Sequence, residues 1–129
     1  MPQPAARQND PVVGIDTHIL MTASGSPVPT PLPFSGQLLT GLSTDVLING
    51  LPAAVQGSVA RNLPPHLPPP STSFSKPPTD QGRVVAGSAT VLVDGKPLAR
   101  LGDAVMTCND PVDLPVSAIT AGSPDVLAG

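Results

Sequence analysis

Tryptophan and tyrosine are absent from the 129 residues, phenylalanine occurs twice, and charged side chains make up only 12%. A core must therefore be built from Val, Leu, Ile and Ala. The polar groups are too few to surround an oxyanion hole or a substrate pocket, which argues against an enzyme. Basic residues are scattered and the net charge is −3, so the electrostatic footprint that nucleic-acid binding needs is missing. No apolar run approaches the ~20 residues of a membrane-spanning helix, and Met1-Pro2-Gln3-Pro4 lacks the charged-then-apolar order of a secretion signal. The expectation is a chain made and kept in the cytoplasm until a machine carries it out. Gly-rich phosphate loops of the G-x-G-x-x-G or Walker type do not occur. A single cysteine excludes an internal disulfide, leaving Cys108 as a free thiol, a metal ligand or a nucleophile.

What the chain has in quantity is proline, 19 residues, and glycine, 12, beside a 40% hydrophobic fraction. Proline and glycine approach the level of disordered or low-complexity chains, but the β-branched runs supply material for a core. The combination predicts one all-β domain over residues 1–129, of short strands joined by proline-stiffened loops.

Self-similarity organises these strands. Leu42–Gly50 (LSTDVLING) matches Gly87–Gly95 (GSATVLVDG) and Gly122–Gly129 (GSPDVLAG). A second phrase follows the first two copies, Leu51–Ser58 (LPAAVQGS) and Lys96–Asp103 (KPLARLGD). Its third copy stands at the N-terminus, Pro4–Asp10 (PAARQND). Asn49-Gly50 and Asp94-Gly95 are strong signals for two-residue hairpin turns, because both central residues need positive φ. The third hairpin is split, Val126-Leu127 supplying one strand and Ala5-Ala6-Arg7 the other. Three repeats closing around an axis would bring the termini together and leave no free strand edges. The proline-rich stretches Ser26–Phe34 and Leu63–Pro78 read in isolation as polyproline linkers or SH3-type ligands. Their place inside the repeat register predicts ordered, stiff loops covering the hairpins.

The chemistry-bearing residues follow the same phase. His18 lies 14 residues after Pro4, His66 14 after Pro52, and Cys108 11 after Pro97; no other His or Cys occurs. Around an axis these side chains converge, and imidazole with thiolate suits Zn²⁺ or Fe²⁺. A fourth ligand is left open among Asp16, Asn109, Asp110 and water. A Cys-His nucleophile pair is the enzymatic alternative, without the polar surroundings it would need. The aspartates at 10, 16, 45, 94, 103, 110, 113 and 125 fall mostly in predicted turns, where Asp is expected for hydrogen-bonding reasons.

Pro4-Ala5-Ala6-Arg7 is the PAAR motif verbatim, and Lys96–Asp103 after Val91–Gly95 resembles the repeat of PAAR proteins, so the likeness covers nearly the whole chain. The resemblance implies a small cone of three pseudo-threefold β-hairpin repeats with a metal, usually zinc, near the apex. Such proteins cap the trimeric β-helical spike of type VI secretion systems, contractile phages and extracellular injection particles. Carried onto this sequence, the metal ligands are His18, His66 and Cys108. They lie in the phrases Asp16-Thr17-His18-Ile19, Pro64-Pro65-His66 and Met106–Asp110. The family's usual set is three His and one Cys, often with a His near the Pro31-Leu32-Pro33 phrase. Here Phe34 follows and there is no third His, which leaves the fourth position to water or an acid. The implied role is mechanical: a rigid tip, delivered onto the target envelope, that concentrates the force of contraction. One copy per spike trimer and no stable homo-oligomer are expected from the threefold argument, and the end at Gly129 carries the expectation of no fused effector domain. A small metal- or thiol-dependent hydrolase and a proline-rich adaptor are the competing readings.

Overall fold

The computed structural model describes residues 2–129, all β and without a helix among them. In chain order the strands are β1 (Gln3–Pro4), β2 (Pro11–Met21), β3 (Pro27–Thr40), β4 (Leu47–Ile48), β5 (Leu51–Pro52) and β6 (Val59–Asn62). They continue as β7 (Ser73–Phe74), β8 (Gln81–Val84), β9 (Leu92–Val93), β10 (Lys96–Pro97), β11 (Ala104–Thr107), β12 (Leu114–Ile119) and β13 (Leu127–Ala128). Six of these form a closed antiparallel barrel in the order β12-β11-β8-β6-β3-β2, with β2 pairing back onto β12 through Ser117↔Gly14 and Ile119↔Val12. Closure removes the unpaired edges that a short, apolar sheet would otherwise expose.

Alternation along the strands sends one side chain in two to the interior. Val12, Phe34, Leu38, Ala60, Val84, Val105 and Ile119 meet there, all buried. Phe34 is fully buried and is the one large ring available to fill the barrel. Its neighbour Gly82 makes the space, since a Cβ at that position would stand 2.8 Å from the Thr107 side chain and 2.9 Å from that of Val105.

One end of the barrel is closed by the three repeats. The second-phrase alanines Ala6, Ala54 and Ala99 are fully buried, and their backbones form a cyclic triangle. Ala6 N–H donates to Ala99 O (2.9 Å), Ala99 N–H to Ala54 O (3.0 Å), and Ala54 N–H to Ala6 O (3.0 Å). Bridges Ala5↔Arg100, Val55↔Leu98 and Arg7↔Ala53 surround it with the same cyclic order. The second position of the motif's Ala-Ala pair is thus alanine in all three repeats, whereas the first, Ala5 and Ala53, is Leu98 in the third. Arg7 and Arg100 then reach forward three residues, to Asp10 (3.1 Å) and Asp103 (2.9 Å). In the first repeat Val55 and Ser58 take those places, the Ser58 hydroxyl accepting the Val55 N–H at 2.9 Å.

Three hairpins hang from this ring: β4-β5, β9-β10 and the split pair β13-β1, in which Gln3 faces Ala128 and Pro4 faces Leu127. The turns at Asn49-Gly50 (φ 53° and 79°) and Asp94-Gly95 (φ 55° and 77°) adopt the expected left-handed geometry. Ser43, Ser88 and Ser123 occupy equivalent positions, each hydroxyl accepting two N–H groups of its own repeat: Asp45 and Val46, Thr90 and Val91, Asp125 and Val126. Each also contacts the turn of a neighbouring repeat, at Asp94, Gly129 O and Asn49 respectively.

The stretch Ser26–Phe34, expected as a covering loop, is instead mostly strand. Pro27, Pro29, Pro31 and Pro33 alternate along β3 opposite Met21, Ile19, Thr17 and Ile15. The partner β2 does not need them as donors. Thr17 N–H goes to Asn109 Oδ1 (2.7 Å), Thr17 O accepts from Asp110 N–H (2.9 Å), and Ile19 O accepts from Ser75 N–H (2.9 Å). The prolines therefore occupy the non-hydrogen-bonded register, beyond the reach of β6, where a missing N–H costs nothing. Leu63–Pro78 does form a loop, pinned to β2 through β7 by Leu20↔Phe74 and Met21↔Ser73.

Candidate metal centre

At the end of the barrel opposite the alanine triangle, strand alternation turns polar. β2 presents Asp16 and His18 two residues apart and hence on one face, where both are buried, at 0% and 1% exposure. β6 runs into the loop that returns His66 over the opening, and β11 ends at Cys108; these are 9% and 2% exposed. The structure thus brings His18, His66 and Cys108 together and adds Asp16. One donor atom from each lies within 4.8 Å of all the others, so a single ion could be held by the four. Of the open candidates for the fourth position, Asp16 is the one in the cluster. The Asn109 amide is engaged with backbone, accepting from Thr17 N–H and donating to Thr107 O at 2.9 Å. Asp110 is outside the group.

Asp16 Oδ2 is the hub, 3.0 Å from His66 Nε2 and 3.4 Å from Cys108 Sγ, while its Oδ1 accepts from the Thr107 hydroxyl. The His18 and His66 rings meet edge to face with centroids 4.9 Å apart. His66 is fixed from behind by its N–H to Asp80 Oδ1 (2.8 Å). Phe74 on β7 stacks its edge against His18 at 5.7 Å.

Two observations test whether a metal fits. Both ring nitrogens of His18 are buried without a hydrogen-bond partner among the described residues, and a buried polar group in that condition costs about 1–3 kcal/mol. Burial, and next the nearby His66, push the His18 pKa below its ordinary value, which keeps the ring neutral with a free lone pair, the form that ligates. The donor set of two imidazoles, one thiol and one carboxylate is also the chemistry of zinc and ferrous sites. The residues fit the group.

They fit a thiol nucleophile poorly. Burial above all, then the Asp16 charge, pushes the Cys108 thiol up to about 12, so at neutral pH it is an unreactive thiol. Access is as narrow: the crevice that reaches both His18 and Cys108 holds about 10 Å³, room for one water. A shallow 250 Å³ groove of leucines and prolines touches His66 from outside, and depressions of 410 and 450 Å³ lie at the hairpin end, away from the cluster.

Asp16 carried a readable signal, its i, i+2 spacing to His18 on a strand. Thr107, fully buried beneath Asp16, carried none, because its role depends on β11 lying beside β12.

Residues 75–129 match the family model for the PAAR motif. No curated protein matches the chain significantly. The matched segment contains the β9-β10 hairpin, Cys108 and β13, and the fold repeats that hairpin around a ring that Pro4–Arg7 completes. The match, the motif and the ring are together consistent with a PAAR-repeat protein of contractile injection systems.

Proposed function

We propose that the chain, as a single domain over residues 1–129, is a structural cap seated on a trimeric β-helical spike, where it sharpens the tip that meets the target envelope. The observation that carries this is one leucine repeated three times. Leu47, Leu92 and Leu127 hold the same place in the three hairpins and are 63%, 63% and 59% exposed. Exposed leucines held in cyclic order by a backbone ring present nearly the same apolar contact to three directions. A partner with true threefold symmetry can use all three at once, whereas a partner without it can use one. One copy per trimer follows, with no stable homo-oligomer. The chain is made in the cytoplasm and acts at the tip of the apparatus.

At the other end His18, His66 and Cys108, with Asp16 as fourth donor, hold one metal ion, zinc in our reading and ferrous iron as the alternative. The carboxylate and the thiolate neutralise a dication that the surrounding burial would otherwise leave uncompensated. When bound, the ion crosslinks β2, the His66 loop and the end of β11, giving the apex a stiffness that a core with one large ring does not supply. No step of catalysis is assigned to the site, whose crevice admits a single water.

The test is native mass spectrometry of the chain mixed with a trimeric β-helical spike protein of a contractile injection system from the same source. The expected complex has one copy per trimer. A triple variant Leu47→Asp, Leu92→Asp and Leu127→Asp should keep its far-ultraviolet circular dichroism and lose the complex. A complex with three copies per trimer, or undiminished binding by the folded triple variant, would overturn the proposal.

A further inference from the structure

Asp16 has two oxygens in the cluster, and what distinguishes them lies outside it. Oδ2 faces His66 and Cys108. Oδ1 is taken by the Thr107 hydroxyl, which has one proton and gives it there. Ser117 Oγ lies 3.1 Å from Thr107 Oγ1. With the threonine proton committed, the serine is the donor in that second bond. All three residues are buried, Thr107 and Asp16 fully, so solvent does not compete for these groups.

The chain of donors is held by the barrel seam. Ser117 on β12 stands opposite Gly14 on β2, and a Cβ on Gly14 would collide with the serine Oγ and Cβ. Gly14 is extended here, so its value at this position is space rather than conformational freedom. Gly14 leaves room for Ser117, Ser117 supports Thr107, and Thr107 occupies one carboxylate oxygen.

We propose that Thr107 is a positioning residue for the metal centre: by holding Asp16 Oδ1 it presents Oδ2 alone, making the carboxylate a one-oxygen ligand in a four-donor site. The inference rests on the metal reading above and deepens it. An uncommitted Oδ1, buried and without a donor, would turn to the ion as a second oxygen. The site would then be five-coordinate, and the clamp on the apex looser.

The experiment loads the full chain with Co²⁺, whose visible bands distinguish four from five donors and whose thiolate charge-transfer band reports Cys108 separately. Wild type should bind Co²⁺ with a four-coordinate spectrum. Thr107→Val, similar in size, should weaken Co²⁺ and Zn²⁺ binding about 10–100-fold and shift the visible bands towards the weaker five-coordinate pattern while the thiolate band persists. Thr107→Ser should restore both. Ser117→Ala, which leaves the threonine in place, should give a smaller change in the same direction and keeps the test available should Thr107→Val fold poorly. Thr107→Val or Ser117→Ala protein indistinguishable from wild type in affinity and spectrum would overturn the positioning role and leave the metal reading standing. A wild type that takes up no Co²⁺ or Zn²⁺ would overturn the metal reading, and the positioning role with it.

Discussion

Replacing His18 by leucine should change stability in opposite directions depending on whether metal is present. Without metal, the wild-type ring sits at 1% exposure with both nitrogens unpaired. Each unpaired group costs about 1–3 kcal/mol. The crevice beside the ring has room for one water, so one of the two can be relieved. Leucine fills a similar volume and has no polar atom, which leaves a net gain of about 2 kcal/mol for the variant in chelator. For a chain of this length that is a rise in melting temperature of roughly 8 °C. With metal the balance reverses. Free ion at a thousand times its dissociation constant stabilises the wild type by about 4 kcal/mol, while the variant, short of one donor, gains little. Wild type should then be the more stable by about 2 kcal/mol. Differential scanning fluorimetry in matched EDTA and zinc buffers reads both arms, and the crossing of the two melting curves is the signature. A variant less stable than wild type by the same amount in both buffers would show that His18 is a packing residue and nothing more.

Zinc binding should release about one proton per chain at pH 7.5, because a thiol held at about 12 must lose its proton to ligate. Affinity should therefore rise roughly tenfold per pH unit through the neutral range and fall as pH drops; calorimetry in buffers of different ionisation enthalpy measures it, and a pH-independent affinity would remove Cys108 from the ligand set. Ser43→Ala, Ser88→Ala and Ser123→Ala should each cost about 1–2 kcal/mol in urea unfolding, since each hydroxyl accepts two backbone N–H groups of its own repeat; a cost confined to one of the three would break the equivalence. A permuted chain with Ala128 joined to Gln3 through Asn-Gly and cut between Asn49 and Gly50 should melt within a few degrees of the parent, because the split hairpin has the same register as the intact ones.

The hairpins, their cyclic order and the split third copy were legible in the sequence because they are local: a phrase of eight or nine residues, a turn with positive φ, and a repeat in phase. His18, His66 and Cys108 could be grouped for the same reason. The six-stranded barrel itself was not legible. β6, β8 and β11 are only four residues long, and the first half of β3 has proline at every second residue, so composition points to a loop. Only the pairing with β2 reveals that those prolines occupy positions needing no donor. The environment of Asp16 was hidden likewise. Thr107, Ser117 and Gly14 come from three separate strands, and no spacing along the chain announces that they touch.

The split hairpin sets an order of events during synthesis. Pro4 and Ala5 are made on the order of 120 residues before their partners Leu127 and Val126. At ribosomal rates of about 5–20 residues per second, the early strand waits roughly 6–25 s for its mate. Until then the third leucine, Leu127, is missing and the alanine triangle has no outer support on that side. A nascent or prematurely ended chain can fold its first two hairpins but cannot offer a third contact. If seating requires all three, the β1-β13 seam acts as a proofreading step, admitting molecules that carry both of its strands and turning away fragments that have most of the same surface.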